Sequence, residues 1–107
     1  MPAATALRMA TANGARALGG NFGSLAVGMA ADFIAVEVDE LAPETGPVYS
    51  IVSHLVYATG RHQVTDVWVA GAQLLAGRAL TTIDEAALRS EMRAWRDKVR
   101  PQEEAKA

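Results

Sequence analysis

The chain has 107 residues, half of them hydrophobic, with 10 basic and 12 acidic side chains and a formal net charge of −2. That length fits one small domain or part of a larger one, and the charge balance offers no basic field for nucleic acid and no patch for an anionic membrane. The absence of cysteine removes disulfides, thiolate metal sites and cysteine nucleophiles, and no apolar run approaches the roughly 20 residues of a membrane helix.

Residues 5–18 read as helix, with Leu7, Ala10 or Thr11, Ala15 and Leu18 on one side. Asn13-Gly14 interrupts it, and glycine costs about 1 kcal/mol relative to alanine in a helix interior. Two short pieces meeting near Thr11-Ala12 are therefore expected, with Thr11 capping the second. Gly19-Gly20 stops the helix, because glycine reaches the left-handed conformation that a helix end favours. So many small residues let this helix lie close against a larger surface while filling little volume.

Residues 23–25 read as a short strand, Val27-Gly28 as a turn, and residues 31–38 as a longer strand. Along it Phe33 and Ala35 share a side with Glu37, and Ile34, Val36 and Val38 take the other, the side expected to be buried. Asp32 opens this strand and is expected to lock the preceding turn by accepting its amides. Residues 39–47 hold two prolines, a glycine and three acids and read as loop. Over residues 48–59, Val52, Leu55 and Val56 fit helical spacing, while Val48-Tyr49 and Ile51-Val52 could extend a strand. A brief extended entry and a short helix from about Ser50, near 50–59, are favoured, then a turn at Gly60-Arg61-His62-Gln63.

The clearest hairpin has residues 64–70 as one arm, a tight turn at Ala70-Gly71-Ala72 and residues 73–76 as the return; Ala79-Leu80 extends it. Thr82 and Glu85 have capping-box spacing. From there Leu88, Met92, Trp95 and Val99 form one narrow apolar stripe on a helix that Pro101 stops. Arg89, Arg93, Arg96, Lys98 and Arg100 alternate with acids on its solvated face, and residues 102–107 are expected to fray. Trp68 and Trp95 are the expected core anchors.

The chemistry-bearing residues assemble no site. The two histidines, His54 and His62, are eight apart with no His-x-His or His-Glu-x-x-His pattern, whereas a hydrolytic zinc needs three converging ligands. His54 is expected to pack or to bond a backbone group, and His62 to sit on a surface turn. Gly23-Ser24-Leu25 is no nucleophile elbow, and Ser53 and His54 point apart as helix neighbours. Asn13-Gly14 and Gly19-Gly20 lack the pattern of a phosphate loop. No catalytic, cofactor-binding or metal-binding residue is assigned.

The order Ala10-Thr11-x-Asn13-Gly14-Ala15-x-x-Leu18-Gly19, then Gly23-Ser24-Leu25-x-x-Gly28-x-x-Ala31-Asp32, resembles the C-terminal signature of the amidohydrolase superfamily. Val52-Ser53-His54-Leu55-Val56-Tyr57-Ala58, Val67-Trp68-Val69-Ala70-Gly71 and Gly77-Arg78 resemble the branch holding methylthioadenosine/S-adenosylhomocysteine deaminases and triazine or chlorohydrolase-type enzymes. Met29 stands where that family usually has lysine.

The resemblance implies an α+β fragment. Residues 1–20 would supply the last helix of a (β/α)8 barrel, residues 21–82 part of a β-sandwich with its short helix near 50–59, and residues 83–107 a C-terminal helix and tail. It implies zinc or another divalent metal in the full-length enzyme, bound outside this chain, and a missing catalytic barrel as partner. The alternative is a non-enzymatic module that binds a partner or itself. Met1-Pro2-Ala3 lacks the basic head and apolar core of a signal peptide, so a soluble, cytoplasmic protein is the expectation.

Overall fold

The computed structural model describes residues 1–43 and 46–101. Helix α1 (Ala3–Arg8), a π turn (Met9–Asn13) and α2 (Gly14–Leu18) run on without a gap. The interruption expected near Thr11 is thus a widened turn rather than a break between two capped helices. Thr11 caps nothing: its hydroxyl donates to the Leu7 carbonyl at 2.7 Å, a back-bond that loosens a helix. Gly19, at φ +70, ends the helix as expected. Its amide donates to Arg16 at 3.2 Å and that of Gly20 to Ala15 at 3.0 Å, the paired closure of a helix terminus.

The chain then crosses back over its own helix. Gly23 has φ +100, and a Cβ there would meet the Ala15 Cβ at 2.7 Å and the Thr11 carbonyl at 2.8 Å. Glycine alone fits, and Ala15 beneath it is 3% exposed. This left-handed crossing is why residues 23–25 form no strand, contrary to the sequence reading. The turn that follows is as expected: the Met29 amide donates to Ala26 at 3.1 Å, with Gly28 at φ +88.

Strands β1 (Phe33–Val36), β2 (Val64–Val69), β3 (Ala72–Ala76) and β4 (Ala79–Leu80) form one antiparallel sheet in that order. The strand expected over 31–38 is thus four residues long. Phe33 lies opposite Trp68, and their rings stack at 4.5 Å, which anchors Trp68. The β-branched face is only partly covered: Ile34 is 54% exposed while Val36 and Val38 are half-buried, and on the other side Phe33 and Glu37 are exposed.

Asp32 locks a turn, but not the one before it. Its carboxylate accepts the Ala70 amide at 2.7 Å, 38 positions along the chain, and the Ala31 carbonyl accepts the Gly71 amide at 3.1 Å. Ala70 and Gly71 both have positive φ in the β2–β3 turn, a conformation that turns their amides outward, where the start of β1 meets them.

Helix α3 (Ile51–Tyr57) begins at Ser50, which is extended and accepts the Ser53 amide. It packs on α1, and the Tyr57 hydroxyl donates to the Met1 carbonyl. A 3-10 turn (Arg61–Gln63) leads into β2. Between β1 and α3 the described residues form no helix or strand, as expected of a loop; Glu44 and Thr45 lie outside the described residues, as does the tail expected to fray over 102–107.

Helix α4 (Glu85–Val99) is capped by Asp84, whose carboxylate accepts the Ala87 amide at 3.1 Å. Thr82 lies two residues upstream of this cap, so the expected capping box is absent. The stripe is present, yet Leu88, Met92, Trp95 and Val99 are 43%, 61%, 64% and 68% exposed. Trp95 is no core anchor; it carries only the Lys98 ammonium over its ring at 5.2 Å.

Among the described residues only Ala15 and His54 are enclosed. The radius of gyration is 19.1 Å, against about 13 Å for a compact domain of this length. The accessible surface is 8493 Å², whereas a compact 11.3 kDa protein exposes roughly 5,700 Å².

A carboxylate latch holds the far end of the sheet. Asp66 accepts from the Thr65 hydroxyl at 2.6 Å, the Gly77 amide at 3.1 Å and Gln73 at 3.2 Å. The Thr65 bond foremost, then the Gly77 amide, holds its carboxyl below the usual aspartate range; Gln73 and the nearby Arg78 charge act the same way, and desolvation opposes them. A depressed folded pKa contributes stability that is present above the unfolded pKa and lost as pH falls through the folded one. NMR titration of Asp66 is therefore expected to give a midpoint below that of an unstructured aspartate, with the β3–β4 turn loosening only below it. Thr65→Val is expected to move the midpoint upward. At the opposite end of the sheet, Asp32→Ala is expected to cost about 1 kcal/mol in urea unfolding and to speed amide exchange at Ala70, with Asp32→Asn milder in both.

Candidate functional site

His54 is enclosed, 6% exposed, on α3. Its carbonyl accepts the Ala58 amide and the Thr59 hydroxyl, and its Nε2 has no hydrogen-bond partner among the described residues. His62 lies exposed in the 3-10 turn. Ser53 is exposed beside the enclosed His54, so the pair forms no nucleophile and base. Ser24 is exposed in the return loop.

Among the described residues no three histidine or carboxylate side chains gather where a metal could bind. Hydrolytic zinc needs three protein ligands, so the residues described here do not fit a zinc site, and no catalytic step can be derived through one.

The densest polar arrangement lies where β1 leaves the sheet. The Arg78 guanidinium bonds Glu37 at 2.7 Å and the His62 carbonyl at 3.2 Å, while Gln63 donates its side-chain amide to the Glu37 carbonyl at 3.0 Å. Gln63 also accepts the Gly60 amide at 2.9 Å through its side chain, and its own carbonyl accepts the Glu37 amide at 2.8 Å. These groups bond one another and join three segments, the pattern of a structural stitch, although the Arg78 and Glu37 side chains are themselves exposed. No local pattern signals it, because Glu37, Gln63 and Arg78 come from three separate segments.

The other candidate is apolar. A groove of 510 Å³ runs between α1, β1 and α3, lined by Leu7, Leu25, Phe33, Ile34, Ile51 and Leu55, with Thr11, Ser24 and Asp32 among its few polar neighbours. Its wall residues Leu25 and Ile51 are 76% and 60% exposed. Such a surface is suited to docking, not to acid–base chemistry.

Comparison with known proteins identifies the setting. A sequence profile of the amidohydrolase family matches residues 1–74. The chain is similar to a 5-methylthioadenosine/S-adenosylhomocysteine deaminase of Teredinibacter turnerae, 42% identical over 97 residues that cover 89% of this chain and 22% of that enzyme. A deaminase of the same name from Halobacterium salinarum is 42% identical over 91 residues, 85% of this chain and 21% of that one. The crystal structure of an adenosine deaminase from Xanthomonas campestris with bound zinc superposes with a TM-score of 0.78 at 51% identity, covering 92% of this chain and 23% of that one. The chain spans about a fifth of the length of these relatives. With well over half of its residues matched by the family profile, it belongs to the amidohydrolase family, as a segment resembling the methylthioadenosine/S-adenosylhomocysteine deaminases.

Proposed function

We propose that this chain is the C-terminal part of a metal-dependent amidohydrolase that removes an amino group or chlorine by hydrolysis from a heteroaromatic ring, such as that of an adenine nucleoside or an aminotriazine. The observation that carries this reading is the likeness, at 51% identity and a TM-score of 0.78, to 23% of an adenosine deaminase with bound zinc. In this reading the helical segment from α1 to α2 closes a catalytic barrel, the sheet is part of a β-sandwich beside it, and α4 packs outside. The metal and the groups that activate water belong to the barrel portion. No described helix is long and apolar enough to cross a membrane, and a cytoplasmic enzyme is the setting we propose.

The division of labour has two measurable consequences. The chain alone, supplied with zinc and a panel of aminopurine nucleosides, is expected to show no turnover above background. Grafted into the Xanthomonas campestris deaminase in place of the segment it matches, it is expected to retain zinc and adenosine deamination within about tenfold. Turnover by the isolated chain, or a folded graft without zinc and activity, overturns the reading.

A further inference from the structure

We draw no further inference here: the strongest candidate, the face of helix α4 on which Arg89, Arg93, Arg96 and Arg100 border the exposed apolar stripe of Leu88, Met92, Trp95 and Val99, carries nothing because the chain spans about a fifth of its relatives and nothing in the structure shows what covers that face.

Discussion

The bond from the Ala70 amide to the Asp32 carboxylate joins two halves of the chain that share little else. One half is the helical segment and the loop that crosses it at Gly23; the other is the hairpin of β2 and β3. β1 enters the sheet immediately after Asp32, so this contact fixes where β1 begins and which residue faces Trp68. With Phe33 set opposite Trp68, the stacked rings and the Glu37 stitch follow at successive positions along the strand. A backbone amide turned outward by the hairpin conformation thus sets the position of an element 38 residues away.

What the contact cannot supply is an interior. Packing two enclosed residues is far below what a domain of this length needs to offset its ordering entropy. The apolar groups are present, but they are arranged in three outward-looking sets: the groove beside β1, the stripe on α4, and scattered residues such as Leu18 and Val27, 80% and 106% exposed. Each has the pattern of one side of a packed contact. An amidohydrolase segment spanning about a fifth of its relatives is a physically consistent source for such surfaces.

Features that depend on neighbours in sequence were legible. The Gly19-Gly20 stop, the Gly28 turn, the Ser50 entry to α3 and the glycine turn between β2 and β3 each follow from a few adjacent residues. Features that depend on distant partners were not. Nothing near Asp32 in sequence shows that the amide it meets belongs to Ala70. Residues 23–25 alternate like a strand, yet contact with Ala15 forces Gly23 into a conformation no strand adopts. Asp84 took the cap that Thr82 was expected to hold, since both residue types serve and only geometry chooses between them. Trp95 is exposed although its stripe is apolar, because a stripe shows which face is apolar, not whether anything lies against it. The resemblance to amidohydrolases was legible because its signature consists largely of such local turns.

Helix α4 begins at its own cap and ends at a proline, and its 15 residues are near the length at which an isolated helix is only marginally stable in water. Its capping bond is local, so nothing in the sheet must form before it. Its cooperative unit is therefore separate from that of the sheet, and its opening free energy lies at the low end of the molecule's range. Whatever surface it finally rests on sets its helicity as well as its position. In thermodynamic terms, α4 stands on its own cap, and a surface laid against its stripe of Leu88, Met92, Trp95 and Val99 would add to its helicity.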